Sequence, residues 1–318
     1  MDIIRRVVPY EAAESLRLIG QVFGDEEAEL ETYQLNGSEC TYNLDIVYEA
    51  RQNDQLVGMI HATIPKEAPT ICGLSAMCTS PQHRGAGIGR LLFERIVGEI
   101  DQLGVETAFL GTGNPLAAKL YRSTGFSYLF GSGVMARCHN ADITDFIKQT
   151  YLTAPKELHM IPGSPALRIP LIPFIVLGGI QKVLDINTGL FNSGFITQLS
   201  CMSLYPRYQA LAQKGGQYWA AVNEYGIPCA MISVLPTQAG LRLDFSCAQN
   251  ACDSFSQAFD SIPCDKNAVY MQIAEIDGKK QRLAEQLGFR KSTQASVMLK
   301  CGNFHLPFST YYRTEAET

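Results

Sequence analysis

Residues 79–89 read Thr-Ser-Pro-Gln-His-Arg-Gly-Ala-Gly-Ile-Gly, and this run constrains the fold more than any other part of the chain. A short apolar stretch, 70–78, precedes it and reads as a strand. After it, apolar residues recur at helical spacing over 88–103: Ile88, Leu91, Leu92, Ile96, Val97, Ile100 and Leu103. A glycine-rich turn between a strand and a helix points several backbone N–H groups at one spot, and the positive end of the helix dipole adds to their pull on an anion. Side chains would crowd such a ligand, so Gly85, Gly87 and Gly89 suit close approach of the backbone. The ligand predicted for this turn is a phosphate or pyrophosphate.

Two common phosphate loops do not fit. A Walker loop ends in Gly-Lys-Ser/Thr, whereas Gly89 is followed by Arg90 and Leu91; a dinucleotide fingerprint needs G-x-G-x-x-G, and Gly85-Ala86-Gly87-Ile88-Gly89 has the wrong spacing. The run resembles the R/Q-x-x-G-x-G/A signature of the GNAT acyltransferase superfamily, carried here by Arg84, Gly87 and Gly89, with Pro81 also fitting the common pattern. The resemblance implies that Thr79, Arg84, Gly85, Ala86, Gly87, Ile88, Gly89 and Arg90 surround the pyrophosphate of coenzyme A, with acetyl-CoA as co-substrate. A second motif lies at the expected distance downstream. Residues 114–126 resemble the family's N-x-x-A-x-x-L-Y-x-x-x-G-F at every named position: Asn114, Ala117, Leu120, Tyr121, Gly125 and Phe126. The resemblance implies that Asn114 contacts the pantetheine arm and that Tyr121 lies near the thioester sulfur as general acid.

The fold class expected is α+β: a mixed, mostly antiparallel GNAT-type sheet flanked by helices, and duplicated. In the first domain, 1–140, residues 3–8 suggest a strand and 11–23 a helix. Residues 25–43 form a second helix or a substrate-side loop. Residues 46–51 and 56–64 read as a hairpin around 52–55, and 105–110 and 128–136 as further strands. The second half, 207–318, repeats the theme. Residues 218–234 echo the hairpin, 268–273 a central strand, 281–289 the tyrosine helix with its Gly-Phe ending, and 295–300 the closing strand. It lacks a glycine-rich loop, and Glu285 or Ala284 stands where Tyr121 would be. The expectation is a degenerate domain without a phosphate cradle, the alternative being a single enzyme domain with an unrelated α+β partner. Residues 141–206 read as a linker and interdomain helical segment, with four prolines between 155 and 170 suggesting an extended stretch.

The 318-residue length predicts about two domains. A net charge of −5 with no Lys/Arg-rich run speaks against a nucleic-acid partner. The ten cysteines are scattered without a Cys-x-x-Cys pair, which argues against structural zinc and for a reducing cytoplasm. The N-terminus shows no signal-peptide core. The apolar stretch 169–184 is too short to span a bilayer and is broken by two prolines and two glycines. Burial between domains or in a homodimer contact is the expectation there.

Acyl transfer from a thioester to an amine needs a neutral amine, stabilisation of the carbonyl oxygen, and protonation of the departing thiolate. The family resemblance assigns the second to backbone N–H groups near Thr79 and the third to Tyr121. Glu39, Asp45 and His61 are candidates for a base; His61 reads more readily as a core histidine, Glu39 as a solvated loop residue, and His83 as part of the loop's rim. The acceptor, a small-molecule or peptide amine, is not identified by the sequence. A non-catalytic coenzyme A-binding protein and another acyl-CoA reaction remain as alternatives.

Overall fold

A computed structural model describes residues 1–129, 132–177, 182–263 and 269–313. The chain divides into two units, the first comprising Met1–Phe146, Ser164–Ile172 and Leu199–Ser203, the second Ile147–Gly163, Pro173–Gln198 and Leu204–Thr318.

The first unit runs β1 (Asp2–Val7), α1 (Ala13–Phe23), α2 (Asp25–Leu35), β2 (Asn43–Gln52), β3 (Gln55–Pro65), β4 (Ile71–Thr79), α3 (Ile88–Gln102), β5 (Thr107–Gly111), α4 (Pro115–Arg122), β6 (Ser127–Tyr128) and β7 (Val134–Cys138). The strands form one sheet in the order β1-β2-β3-β4-β5-β7-β6. All neighbours are antiparallel except β4 and β5. Asn53 and Asp54 turn the β2–β3 hairpin with φ of 50° and 63°, the conformation that matches the twist of a two-residue hairpin. The α3 stripe buries Ile88, Leu92, Phe93, Ile96, Val97 and Ile100 against one face of the sheet, alongside Ile46, Ile60 and Leu74. On the other face Leu18 and Ile19 of α1 pack with Val47, Met59 and Cys78. The sheet is thus a layer between two helical covers.

The division between units falls within two short helices, α5 (Ile143–Ile147) and α6 (Leu171–Val176). The remaining elements are β8 (His159–Pro162), β9 (Val183–Asp185), β10 (Leu190–Asn192), α7 (Leu204–Gln213), β11 (Gln217–Val222), β12 (Pro228–Thr237), β13 (Gly240–Cys247), α8 (Cys252–Asp260), β14 (Val269–Ala274), α9 (Gly278–Gln286), β15 (Phe289–Lys291), β16 (Val297–Cys301) and β17 (Phe304–Arg313). Read from β8, the second large sheet runs β8-β11-β12-β13-β14-β17-β15, the same order of roles as β1 to β6 in the first. Here too one pair is parallel, β13 with β14. The architecture is α+β with mostly antiparallel sheets, and the arrangement is duplicated.

The repeat extends to single residues. Asn114 caps α4 and Asp277 caps α9. Seven positions on stand Tyr121 and Ala284, and five further Phe126 and Phe289, each after a glycine. Gly125 lies against Arg137 of β7, and Gly288 against Arg313 of β17. Between the two alternatives for the Tyr121 position, this register selects Ala284. The second unit therefore carries no hydroxyl there.

Two expected strands differ from those found. The single strand expected over 128–136 is a hairpin of β6 and β7, with Phe130 and Gly131 outside the described residues. The strand expected over 295–300 is β16, which only adds to the outer side of β17; the closing strand that pairs with β14 is β17. In both cases the polar and glycine residues of a turn lie within a run whose strand propensity is continuous on either side, so the turn is hard to read. Ala268, expected to begin the β14 strand, lies outside the described residues. The stretch 141–206, expected as a linker and interdomain helical segment, contains helices and also the strands β8, β9 and β10, and its residues are shared between the units. From it, Ile169, Leu171, Ile172, Phe174 and Ile175 are wholly buried; residues 178–181 of the same apolar run lie outside the described residues. Among the described residues no helix is long and apolar enough to cross a membrane.

Candidate active site

Strands β4 and β5 pair over only three residues, Ile71↔Thr107, Cys72↔Ala108 and Gly73↔Phe109. Beyond Gly73 the two part, so backbone groups on that edge of β4 have no ladder partner in β5. On the β3 side the register shifts within the same stretch: His61 faces Ser75 and Met59 faces Cys78, which sets Ala76 and Met77 opposite Ile60 alone. Ala76 holds φ of 47°, unusual for a residue with a Cβ, as a bulge requires. Bulges re-aim strand groups next to functional sites, and this one sits where the sheet opens.

A 3-10 turn, Pro81–His83, leads from β4 to the glycine loop. Gly85 and Gly87 have φ of 83° and 79°, and a Cβ at either would meet nothing within 4 Å. Space, as well as backbone conformation, is available for a ligand there. Gly87 is the N-cap of α3 and no side chain caps the helix, so its first N–H groups keep their unspent hydrogen-bonding capacity. Gly89 lies closer in, its would-be Cβ 3.3 Å from Met77 and 3.7 Å from the Thr79 hydroxyl.

The side chains around the loop take different parts. Arg84 is exposed, its Nε donating to the Thr79 carbonyl at 3.3 Å. Arg90 is exposed and paired with Glu94 one turn on, at 2.8 Å. Ala86 is exposed, whereas Ile88 is buried in the α3–sheet core. Ile88 can offer only its backbone. His83, half-buried, lies 3.4 Å from the Ser80 hydroxyl.

Asn114 is engaged by the fold itself. Its Oδ1 accepts from Leu116 N at 2.9 Å and from Ala117 N at 3.5 Å, capping α4 ahead of Pro115. The amide NH₂ is left for other partners. The sequence pattern did not reveal this cap, although Asn followed by Pro at a helix start is its usual signal. Tyr121 is buried against Phe93, ring centroids 4.7 Å apart, and against Phe126. Its hydroxyl makes no hydrogen bond among the described residues, and burial pushes the phenol up to about 12.

The base candidates are placed clearly. His61 is fully buried, its Nδ1 2.9 Å from Glu31 Oε2 and its Nε2 2.9 Å from Asp45 Oδ1. Ser75 Oγ lies 3.2 Å from Nδ1, and Thr63 donates to Asp45 at 2.7 Å. Burial opposes a charged ring, yet hydrogen bonds to Asp45 and Glu31 outweigh it and raise the imidazole to about 9. At neutral pH His61 is a buried cation between two carboxylates, already holding its proton. Glu39 is not a solvated loop residue: it is buried, and Arg168 donates to both its oxygens, Nε at 2.8 Å. Both carboxylate oxygens are thus engaged by the guanidinium within the fold.

Sequence reasoning missed the residues that cover the face of the sheet bearing His61. Ile169 and Met202 lie over Gly73, and Cys201 lies against Gly111 at the end of β5. These come from Ser164–Ile172 and Leu199–Ser203, remote in sequence yet part of the first unit. The buried Cys201 thiol is pushed up to about 12 by burial, with Glu31 and Glu27 adding to the shift. Burial and its neighbours Glu31 and Glu26 likewise raise the exposed Glu27 above the usual carboxylate range. Carboxylates of α2 thus gather beside the place where β4 and β5 part. Among the described residues no group of three or more His, Cys, Asp or Glu is arranged to hold a metal.

Comparison with known proteins bears on the first unit. No curated protein matches the chain. Solved structures with similar folds include an acetyltransferase of the GNAT family from Desulfovibrio desulfuricans, at 16% identity over 42% of this chain and 95% of that one, with a TM-score of 0.35. The ribosomal-protein-S18-alanine N-acetyltransferase from Escherichia coli matches at 19% identity over 44% of this chain and 96% of that one, TM-score 0.33. A GNAT-family acetyltransferase from Brucella melitensis, in complex with acetyl-CoA, matches at 18% identity over 44% and 90%, TM-score 0.34. Residues 43–128, from β2 to β6, match the family described as acetyltransferase (GNAT) domain. The stretch that holds the opened strand pair, the glycine loop and Tyr121 thus lies within the segment that matches the acetyltransferase (GNAT) domain family.

Proposed function

We propose that the first unit transfers an acetyl group from acetyl-CoA to the nitrogen of an amine, by direct attack and without a covalent enzyme intermediate. One observation carries this reading: within the family-matching segment, an uncapped helix start with two open, positive-φ glycines stands at the end of the strand that parts from β5. The pyrophosphate would lie on the N–H groups after Gly87, with Arg84 and Arg90 at its edge and Thr79 and Gly89 beneath. The Asn114 amide NH₂ would meet the pantetheine arm while its oxygen keeps the α4 cap. Backbone N–H groups of β4 beyond Gly73 would stabilise the carbonyl oxygen as it gains charge.

Burial of Tyr121 refines its part. A phenol at about 12 opposite a thiol of ordinary pKa, about 8.5, would give up its proton at a cost of about 5 kcal/mol. Tyr121 therefore serves as a hydrogen-bond donor to the departing sulfur, and the neutralising proton comes ultimately from the acceptor nitrogen. The acceptor would enter over α2, where Glu27 and Glu31 favour an ammonium. With His61 already protonated and Glu39 held by Arg168, water takes the amine proton.

The second unit, with the same strand order and no counterpart of residues 84–87, is read as a GNAT-like domain lacking the coenzyme cradle. The nine described cysteines are all free, which supports a reducing, cytoplasmic setting. A screen of amines, followed by free-thiol release from acetyl-CoA, tests the reading. With an accepted amine, Tyr121→Phe should lower kcat by about 10- to 150-fold, the value of one hydrogen bond to a charged group. The affinity for acetyl-CoA and the melting temperature should hold, because the hydroxyl bonds to nothing in the fold. No thiol release across primary amines, amino acids, polyamines and peptide N-termini would reject the acetyltransferase reading. Unchanged kcat in Tyr121→Phe, with chemistry rate-limiting, would reject the role of Tyr121.

A further inference from the structure

The second unit contains a cavity of about 500 Å³ at the end of β13 and the starts of α8 and α9. By the duplicated topology this is the counterpart of the place in the first unit where β4 and β5 part beside α3 and α4. Among the described residues, strands β13 and β14 pair only through Leu241↔Val269 and Arg242↔Tyr270 before separating. The approach to the helix differs in one respect. Four residues, Arg84, Gly85, Ala86 and Gly87, stand between the 3-10 turn Pro81–His83 and α3, whereas the turn Gln249–Ala251 runs directly into α8. The glycine cradle has gone, as has the hydroxyl of Tyr121, whose position Ala284 takes.

Cations stand around the space instead. In the register set by Asn114 and Asp277, Lys279 and Arg282 occupy the positions of Leu116 and Lys119 in α4. With Lys182 they line the cavity. Lys182 Nζ donates to the Ile276 carbonyl at 3.0 Å and Lys279 Nζ to Gln249 Oε1 at 2.8 Å. Among the described residues none of these three cations meets a carboxylate. The fourth cation, Lys280, is spent on buried Asp244. A second observation concerns Ser246, which is 6% exposed and among the residues lining the cavity: its hydroxyl is buried and has no hydrogen-bond partner among the described residues. Leaving a buried hydroxyl unpaired is unfavourable, and a ligand oxygen would relieve it. Phe245 and Leu283 supply an apolar wall.

We propose that this cavity is a second ligand site, taking a small molecule with a phosphate or carboxylate headgroup and a short apolar body. The headgroup meets Lys182, Lys279 and Arg282, Ser246 donates to an oxygen of the ligand, and the body rests on Phe245 and Leu283. Without the glycine cradle, whole coenzyme A is not the occupant.

Cys252 supplies a built-in reporter. It lines the cavity half-buried, and the Cys247 thiol lowers it to about 7 against the opposing effect of burial, with Lys279 assisting. It should therefore react readily with iodoacetamide at pH 7.5, and an occupant should shield it. The full chain would be alkylated with inorganic phosphate, pyrophosphate, short phosphate monoesters, C2–C6 carboxylates or coenzyme A present, and modification at Cys252 read by peptide mass spectrometry. At least one phosphate or carboxylate compound should slow the reaction about fivefold or more, and the arm in which it falls identifies the headgroup. Lys279→Met with Arg282→Met should abolish this protection, and Ser246→Ala should weaken it about 5- to 10-fold, with circular dichroism unchanged. Protection by no compound of the panel would overturn the proposal, as would protection that survives the double substitution. Protection by coenzyme A alone would overturn the assignment to a small ligand.

Discussion

The buried His61 ring makes a prediction about stability whose size follows from its surroundings. Both ring nitrogens face carboxylates at 2.9 Å, and the imidazole is held at about 9 in the folded chain against about 6.5 when exposed. Folding thus favours the protonated ring. Its contribution is full below pH 6.5 and is lost as the pH rises through about 9, because the folded state must then release a proton that the unfolded chain has already given up. At 1.36 kcal/mol per pH unit the difference is worth about 3 kcal/mol, an upper figure because burying the charged groups offsets part of it. The assay is urea unfolding by far-ultraviolet circular dichroism at pH 6 and pH 9.5, for the wild type and His61→Gln. Trp219 lies in the second unit and would not report this transition. The wild type should lose up to about 3 kcal/mol more than the variant between the two pH values, and the variant should be the less stable at pH 6. Equal pH dependence in the two proteins would refute the claim that His61 is cationic in the fold. The base role excluded on that ground would then reopen.

Two further outcomes follow from the same residues. Gly87→Asp places a carboxylate at the open, positive-φ start of α3 and should lower acetyl-CoA affinity at least about 100-fold in titration calorimetry, through both the added charge and the lost space; unchanged affinity in the folded variant would remove the phosphate-loop assignment. Arg168→Met strands buried Glu39 and should cost about 3–5 kcal/mol by denaturant unfolding, with Glu39→Gln added to it restoring part of the loss; a neutral single substitution would mean that the pair does not hold the fold.

The parts of this molecule legible in the sequence are those that depend on near neighbours. The glycine turn, the α3 stripe and the residues from Asn114 to Phe126 each specify a local conformation, and the structure has a helix start, an amphipathic helix and a capped helix there. The β2–β3 hairpin was equally readable, because Asn53 and Asp54 supply the φ that its turn demands. The partners assembled across the sheet were not. Nothing local ties Glu31 to His61 or Glu39 to Arg168, 129 positions away. Each of these carboxylates looks solvated until a tertiary partner is found. The same limit applies to Ser164–Ile172, whose prolines suggest an extended segment, and to Leu199–Ser203, although both belong to the first unit.

The duplication shows how one topology can be given two binding chemistries by a few residues. In both units the parallel strand pair opens after two or three residues, leaving a gap that helix starts border. That gap is a consequence of the strand order, so it persists whether or not anything binds. The first unit fills the border with backbone donors, which need glycine and an uncapped helix and suit a pyrophosphate approaching closely. The second omits those four residues and sets long cationic side chains on α9, which reach a headgroup from a distance and tolerate variation in its shape. Loss of the cradle and gain of Lys279, where the first unit has Leu116, are therefore linked changes in one site, while Arg282 keeps the charge that Lys119 carries in the first unit. The expectation that the second unit merely decayed accounts for the first change but leaves the second unexplained. Asp277 also lines the cavity, with its side chain engaged in capping α9; Lys182, Lys279 and Arg282 repel one another, and a bound anion would relieve that repulsion.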